Sequence, residues 1–509
     1  MNLADLLTDQ IATGRADAPA LIHDAQTWTF ADLIDRAGAI ASALTAGLPP
    51  GHRVAVLGEN HPDTVAAYYG VPSSGHVLTF LNHRLSDGEI LEQLDRSASG
   101  VLLASQAQAE RMAPLLDDRP VITFGADLPP APLASVAQSA DPAWLLFTSG
   151  TTGTPKGALL SHGSLLAAIN SSSVARPIPE DDVFAFPFPL CHVAGYNVLR
   201  THARGRPVVL LDRFDPSTLV ACITEHSVTS VSLAATMLAG LLDLLETNPQ
   251  ALRDVATLRT ISYGASPMPV ELLRRCDQLL TVDLSQGFGM TELSGNAIFL
   301  DASAHRRGFR DDATILAAAG SPGPGVAMRL VGPDDADIEP GEIGEICIAG
   351  PQVMLGYLDD DDATAAALRG GWMHTGDLGR LRPDGLIEVV DRLKDMIVTG
   401  GENVASLEVE RAILATCPEV VEVAVVGIPD PRWGENVCAC VILGPGSTLG
   451  IDEITRRLDG RLARFKTPRH LVVLDELPLT HSGKVAKAML RDELAAEPDL
   501  LGPRRSSVS

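Results

Sequence analysis

Positive charge is scarce in this sequence. The 39 Lys and Arg residues face 64 Asp and Glu residues, which gives a formal net charge of -25 at pH 7. Sequence-independent binding of nucleic acid, and docking on anionic lipid, both need a basic surface. We therefore predict no nucleic-acid partner. Any anionic ligand must be held by local hydrogen-bond donors and a metal ion.

Paired cysteines and long apolar runs are also lacking. The seven cysteines include no C-x-x-C pair, and Cys438 and Cys440 alternate along an apolar run, which predicts one face of a strand. No apolar run reaches about eighteen residues, and the first 20 residues carry acids without an apolar core. We expect no transmembrane segment or signal peptide, and buried thiols in the cytoplasm.

The chain has ample apolar content for more than one core, with 46% hydrophobic residues over 509 positions. Residues 1–140 and 207–263 alternate helix and strand patterns, which predicts two α/β subdomains with parallel sheets. Residues 325–390 have short strands and tight turns, typical of a small barrel-like β subdomain. A small α+β module follows. The predicted class is α/β, with a large domain over 1–390 and a small C-terminal domain over 391–509.

One loop has the composition of a phosphate site. Residues 147–157, FTSGTTGTPKG, combine glycines, hydroxyls and one lysine, with no acid to oppose an anion. The spacing departs from the Walker A pattern, because the second glycine of that pattern would fall on Pro155. The alternative is a solvated turn between a strand and a helix.

Further stretches, in this order and spacing, resemble the adenylate-forming superfamily, in its acyl-CoA synthetase branch. The stretches that carry the resemblance are Gly264-Ala265-Ser266-Pro267-Met268, Gln286-Gly287-Phe288-Gly289-Met290-Thr291-Glu292, Tyr357, Trp372-Met373-His374-Thr375-Gly376-Asp377, Asp391-Arg392-Leu393-Lys394-Asp395, Gly400-Gly401-Glu402-Asn403-Val404 and Leu477-Pro478-Leu479-Thr480-His481-Ser482-Gly483-Lys484. Any one of these matches is weak, but independent false positives multiply.

The resemblance implies a set of site residues. Glu292 would hold Mg²⁺ against phosphate oxygens, and Lys484 would neutralise the α-phosphate. The implied catalytic residues are Thr148, His192, Glu292 and Lys484. The implied ATP- and AMP-binding residues are Thr148, Ser149, Gly150, Thr151, Thr152, Gly153, Lys156, Gly264, Ala265, Ser266, Gly287, Phe288, Gly289, Met290, Thr291, Asp377, Arg392 and Lys484.

The resemblance also implies an acyl site, a CoA site and a hinge. His192, Gly195, Gly264 and Gly287 would line the acyl site, and small residues at packing contacts are the rival explanation for the glycines. The CoA tunnel would be lined by Gly400 and Gly401. Asp391 would be the hinge of a mobile C-terminal domain.

Two positions depart from the family's pattern. Cys191 stands where relatives often carry an aromatic residue, and next to His192 it invites a nucleophile-pair interpretation, which we disfavour because neighbouring side chains point apart. Ala405-Ser406 stands where relatives commonly have Tyr-Pro, which makes the fit of the thioester-forming face less certain.

The predicted function is an acyl-CoA synthetase that uses ATP, Mg²⁺ and CoA on a hydrophobic carboxylic acid, with a fatty acid as the predicted class. A ligase that passes the acyl group to a carrier protein is the first alternative, although the span from Tyr357 to Trp372 leaves no room for the insertion typical of fatty acyl-AMP ligases. Amino-acid adenylation lacks an acid between Cys191 and Asn197 to pair with a substrate ammonium. A non-catalytic nucleotide-binding protein ranks last. A homodimer stays open.

Overall fold

The computed structural model describes residues 1–148, 155–264, 268–480, 484–497 and 500. The chain forms two compact units: unit 1 comprises Met1–Met328 and Ile348–His374, and unit 2 comprises Arg329–Cys347 and the chain from Thr375 onward. The boundary predicted between residues 390 and 391 lies inside unit 2. It stays a prediction, because a hinge is a matter of motion rather than of packing.

Helices and strands alternate through most of the chain. In the described part, the α-helices are α1 (Asp5–Ala12), α2 (Phe30–Gly47), α3 (Pro62–Ser73), α4 (Asp87–Arg96), α5 (Gln106–Met112), α6 (His162–Ala175), α7 (Tyr196–His202), α8 (Pro216–His226), α9 (Ala235–Thr247), α10 (Pro249–Asp254), α11 (Val270–Leu279), α12 (Ala302–Arg310), α13 (Asp361–Ala367), α14 (Ser406–Thr416), α15 (Ile451–Leu458) and α16 (Lys487–Ala496). The strands of the same residues are β1 (Pro19–His23), β2 (Gln26–Thr29), β3 (Arg53–Leu57), β4 (Val77–Leu81), β5 (Ser99–Ala104), β6 (Val121–Thr123), β7 (Pro142–Thr148), β8 (Lys156–Ser161), β9 (Phe184–Phe186), β10 (Val208–Leu210), β11 (Ser230–Leu233), β12 (Thr260–Gly264), β13 (Asp283–Met290), β14 (Gly295–Leu300), β15 (Ser321–Pro322), β16 (Ala327–Val331), β17 (Ile343–Ala349), β18 (Gly356–Tyr357), β19 (Met373–Leu381), β20 (Ile387–Arg392), β21 (Ile397–Thr399), β22 (Glu402–Val404), β23 (Val420–Asp430), β24 (Gly434–Leu443) and β25 (His470–Val473).

Unit 1 is built on two sheets. Among its described residues, one sheet runs β15-β14-β13-β12-β11-β9-β10-β1-β2 and the other runs β18-β8-β7-β4-β3-β5-β6. Most neighbours in the middle of each sheet are parallel, as in β3 with β4 and β12 with β13. All five residues of β4 are buried, as expected for a parallel strand with both faces covered.

Unit 2 contains most of a four-stranded sheet, in the order β16-β17-β19-β20, and a second sheet in the order β22-β21-β24-β23 with β25 beside β24. Helices α14 and α16 pack on β23. Cys438 and Cys440 are both buried on β24, as their spacing predicts. The mixed α/β class, with a larger N-terminal part and a smaller C-terminal part, is thus confirmed.

Local sequence signals explain where several elements begin and end. Thr29 caps α2 in a reciprocal capping box with Asp32, which explains why the helix begins at Phe30. Helix α15 ends at Leu458, because the chain then turns through Gly460 at φ +74°.

The sequence interpretation missed strands β1 and β2. The first pairs in parallel with β10, so the opening residues of the chain belong to the sheet of the second α/β subdomain. A strand of five residues, PALIH, is too short for its pattern to be separated from that of a loop. Within the described ranges, no helix combines the length and apolar character needed to cross a bilayer.

Candidate active site

The loop predicted to bind phosphate lies between two antiparallel strands. Strand β7 ends at Thr148, which is the direct partner of Lys156 at the start of β8. This strand–loop–strand arrangement differs from the strand-to-helix turn that was the alternative. The other predicted loop residues, Ser149, Gly150, Thr151, Thr152 and Gly153, lie outside the described residues, as do Ala265 and Ser266 of the second segment and the His481-Ser482-Gly483 stretch.

Glu292 lies beside the end of this loop. It sits in a short 3-10 turn after β13 and is 5% exposed. Its Oε1 accepts hydrogen bonds from the Thr148 hydroxyl at 3.3 Å and from the Tyr357 hydroxyl at 3.0 Å. No cationic side chain of the described residues forms an ion pair with it. The hydrogen-bond partners of this carboxylate are therefore two neutral hydroxyl groups.

Tyr357 contacts both Glu292 and Lys156. Its hydroxyl donates to Glu292, and the Lys156 ammonium lies 5.2 Å from the centre of its ring, within cation–π range. Burial raises the pKa of the Tyr357 phenol, and the charge of Glu292 adds to the rise, so the phenol stays a donor. Tyr357 is among the residues that carry the family resemblance, but its position in the sequence does not predict its hydrogen bond to Glu292.

Four of the residues predicted to bind ATP and AMP lie on the same part of unit 1. Phe288, Gly289 and Met290 occupy the end of β13, and Thr291 begins the turn that contains Glu292. Phe288 is half-buried, so its ring is not fully taken up by the core.

Asp377 forms the centre of a second cluster, in unit 2. It lies opposite Arg392 across β19 and β20, and Arg392 Nε is 2.9 Å from its Oδ1. Arg392 is the last residue of β20. Burial raises the pKa of the Asp377 carboxyl, and the cations of Arg392 and Lys484 oppose that rise. The electrostatic influence of Lys484 on Asp377 brings these three predicted residues into one neighbourhood.

The glycines assigned to the acyl site have close neighbours, which are backbone at Gly264 and side chains at Gly195 and Gly287. A Cβ on Gly264 would lie 2.4 Å from the Gly287 carbonyl oxygen, and a Cβ on Gly287 would lie 2.1 Å from Asn296 Nδ2. A Cβ on Gly195 would lie 2.2 Å from the Tyr68 hydroxyl. Packing therefore accounts for these glycines, and their role toward an acyl group stays a prediction.

His192 and Cys191 lie in the segment before α7. The His192 carbonyl accepts a bond from Gly195 N at 2.9 Å, and both side chains are half-buried. Desolvation raises the pKa of the Cys191 thiol to about 12, which keeps it protonated at neutral pH. A thiol in that state is no nucleophile, in agreement with the sequence interpretation.

Gly400 and Gly401 form the two-residue turn between β21 and β22. Their φ angles are +62° and +84°, the left-handed conformation that this type of hairpin turn requires. Gly400 N also donates to the Trp433 carbonyl oxygen at 2.7 Å. Turn geometry is sufficient to explain both glycines, and contact with CoA stays a prediction.

A cavity of about 380 Å³ that the sequence interpretation missed lies in unit 1, next to the segment that contains His192. Arg84 and Arg213 contribute two cations to its wall, and Phe214 and Met237 contribute apolar surface. Arginines 129 residues apart give no sequence signal that they meet.

Comparison with known protein families identifies the class. Residues 8–358 match the family of AMP-binding enzymes, and residues 408–484 match the AMP-binding enzyme C-terminal domain. The chain belongs to this family, which confirms the resemblance that its motifs carry.

Individual relatives cover nearly the whole chain. A feruloyl-CoA synthase of Amycolatopsis sp is 37% identical, over 93% of this chain and 95% of that protein. A fatty acid–[acyl-carrier-protein] ligase, ScoC, of Streptomyces coeruleorubidus is 32% identical, over 93% of both chains. The o-succinylbenzoate CoA synthetase of Bacillus subtilis, solved with its acyl-adenylate intermediate, has a TM-score of 0.86 and 31% identity, over 97% of this chain and 98% of that one. The same synthetase has been solved with ATP and a magnesium ion, at a TM-score of 0.85, with 31% identity over 96% of this chain and 99% of that one.

Proposed function

We propose that this chain is an ATP-dependent, AMP-forming acyl-CoA synthetase. In the first step a carboxylate oxygen attacks the α-phosphate of ATP, and pyrophosphate leaves with the electrons of the broken P–O bond. In the second step the sulfur of CoA attacks the acyl carbon and AMP leaves, while the thiol proton passes to solvent. Family membership and CoA-ligase relatives over more than nine-tenths of the chain support this acid–thiol ligase reaction.

The observation that carries the proposal is the buried carboxylate of Glu292 beside the loop from Thr148 to Lys156. Two hydroxyls fix its orientation, and both are neutral. A loop with such donors can spread the charge of the β- and γ-phosphates as pyrophosphate departs. We assign Thr148 and Lys156 to that role.

The donor set at Glu292 fits Mg²⁺. A carboxylate oxygen is the ligand type that this hard cation prefers, and Mg²⁺ bound there would neutralise phosphate charge. Glu292 would hold the cation, and Thr148 and Tyr357 would hold Glu292.

Asp377 and Arg392 fit a ribose site. A carboxylate can accept hydrogen bonds from both ribose hydroxyls, which carry no charge, so a carboxylate already paired with arginine is adequate. Lys484, in the same neighbourhood, supplies an ammonium for the α-phosphate. Asp391 would be the hinge whose backbone rotation exchanges Lys484 for the Gly400-Gly401 turn between the two half-reactions.

The substrate we propose is a hydrophobic carboxylic acid. His192 would orient its carboxylate, and Gly195, Gly264 and Gly287 keep the adjoining backbone free of side chains. The sequence interpretation favoured a fatty acid, while ferulate and o-succinylbenzoate, the acids in the names of two relatives, are aromatic. Arg84 and Arg213 offer cations to an anionic part of a bound substrate.

Transfer to a carrier protein is the second candidate, because ScoC is a carrier-protein ligase. The segment between Tyr357 and Trp372 opposes it, since α13 and a short 3-10 turn occupy that span and leave no inserted segment.

All seven cysteines are free, which supports a reducing, cytoplasmic location. Assembly as a homodimer stays a proposal.

Mass spectrometry tests the proposed function directly. The purified protein is incubated with ATP, Mg²⁺ and a panel of short, long-chain and aromatic acids, each with and without CoA. We expect acyl-AMP without CoA and acyl-CoA with it, and the acid converted fastest defines the substrate class. Acyl-AMP that persists with CoA present would favour the carrier-protein ligase. No acyl-AMP from any acid would contradict adenylation.

A further inference from the structure

Ser406 contacts both Asp391 and Lys487, and neither the motifs nor the proposed site gives it a role. It is the first residue of α14 and is fully buried. Its backbone N–H donates to Asp391 Oδ2, and its hydroxyl donates to Asp391 Oδ1 at 3.0 Å. Asp391, 1% exposed, also accepts from Arg392 N at 2.8 Å. Three donors therefore hold the carboxylate of Asp391.

The same hydroxyl connects Asp391 to the segment that follows Lys484. Ser406 Oγ accepts a hydrogen bond from Lys487 Nζ at 2.6 Å, and that ammonium is also 2.6 Å from Glu410 Oε1. Because the hydroxyl donates once and accepts once, both of its bonds form together. Lys487 begins α16, three residues after Lys484.

The geometry restricts one rotation at Asp391. The ψ angle is the rotation about the Cα–C bond of a residue. This rotation moves all later residues relative to the side chain of that residue. Bonds from Arg392 N and Ser406 to the Asp391 carboxylate cross that bond, so they resist a change of ψ at Asp391. Rotation about N–Cα, the φ angle, moves the carboxylate and Ser406 together and leaves the bonds intact.

We infer that Ser406 is a positioning residue that restrains ψ of Asp391 and so favours the arrangement in which Lys484 lies near Asp377. The inference rests on the proposed function. It adds that Ser406 influences the balance between the two half-reactions. Releasing the restraint shifts the balance away from acyl-AMP formation and toward thioester formation.

A graded series of variants tests this inference. Ser406→Ala removes the hydroxyl, whereas Ser406→Pro removes both the hydroxyl and the N–H. Proline suits the first position of a helix, and Ala405 at φ -72° and ψ 120° tolerates a following proline, so α14 should form. Ser406→Thr keeps both donors. Thr416→Val, which removes a hydroxyl bond to Ala412 O at the far end of α14, is the matched control.

The main measurement is the ratio of two rates: thioester formation from supplied acyl-AMP and CoA, and acyl-AMP formation from ATP and acid. We expect the ratio to rise about fivefold in Ser406→Ala, the effect of losing one buried hydrogen bond, and further in Ser406→Pro. Ser406→Thr and Thr416→Val should stay within about twofold of wild type. An unchanged ratio, or an equal fall of both rates, would overturn the inference.

Hydrogen exchange provides a measurement that needs no substrate. In Ser406→Ala, peptides covering residues 388–410 should exchange faster than in wild type, while peptides covering β23 stay unchanged. Unaltered exchange in 388–410 would overturn the restraint whatever reaction the protein performs. A wild type that makes no acyl-AMP, with faster exchange in the variant, would overturn the proposed function alone.

Discussion

Two buried carboxylates, one in each unit, are held in opposite ways. Glu292 accepts hydrogen bonds from two neutral hydroxyls, of Thr148 and Tyr357. Asp377 has an arginine within 2.9 Å and a lysine among the charges that act on it. A carboxylate with neutral donors suits a cation, and a carboxylate that is already paired suits neutral hydroxyls. The ligand that each site suits thus depends on the hydrogen-bond and ion-pair partners of its carboxylate, since both sites contain the same functional group.

The largest effect should come from the cation near Asp377. In Lys484→Ala we expect acyl-AMP formation to fall by about 10³-fold, because the α-phosphate loses its positive partner, while supplied acyl-AMP still reacts with CoA. Rapid-quench assays of each half-reaction measure this. Lys466→Ala, which removes a lysine paired with Glu408 instead, is the matched control. Equal loss in both half-reactions would contradict separate roles for the two arrangements of the C-terminal segment.

The next effect concerns the charge of Glu292. Glu292→Gln keeps the shape and a hydrogen-bond acceptor but removes the charge, so acyl-AMP formation should fall about 10²-fold and its dependence on Mg²⁺ concentration should weaken. Tyr357→Phe removes one donor and leaves the charge, and should cost only a few-fold. Rates measured across a Mg²⁺ series separate the two variants. A Glu292→Gln enzyme with a wild-type Mg²⁺ dependence would show that the cation lies elsewhere.

A smaller effect should appear in nucleotide selectivity. If Asp377 accepts the ribose hydroxyls, wild type should prefer ATP to 2′-deoxy-ATP by about tenfold, and Asp377→Asn should reduce that preference to about twofold. The ratio of kcat/KM for the two nucleotides is the measurement. Asp384→Asn, at the turn of the same hairpin, should keep the wild-type ratio. A preference that survives in Asp377→Asn would remove Asp377 from the ribose site.

The smallest effect is on stability. Burial raises the pKa of Asp377 above the 3.8 of an unfolded chain, so its contribution is fully favourable below pH 3.8 and is lost as pH rises through the folded pKa. Wild type should therefore lose Tm relative to Asp377→Asn as pH rises from about 3 to neutrality. The hydrogen bond from Arg382 lowers the pKa of Asp384, so Asp384→Asn should show the opposite sign. Parallel Tm curves for wild type and Asp377→Asn would contradict the pKa direction.

The residues of both carboxylate clusters were predictable from short motifs, but their partners were not. Separate short motifs contain the four residues Thr148, Glu292, Asp377 and Arg392, so each could be predicted individually. The contact of Tyr357 with Glu292 joins positions 65 residues apart, and no local pattern records such a distance. Packing against Gly287 O, Asn296 and Tyr68 explains the glycines named for the acyl site, and their role toward a ligand stays a prediction.

The sequence by itself determined the family, the α/β class and the residue types of the site, because phosphate loops, turns and helix caps depend on neighbours along the chain. Only the tertiary structure decided which acid has neutral partners and which is paired with a cation, that β1 joins the sheet of the second subdomain, and that Ser406 holds Asp391. Those features depend on long-range packing, which removes water from a carboxylate and chooses its donors, and desolvation has no signature in the local order of residues.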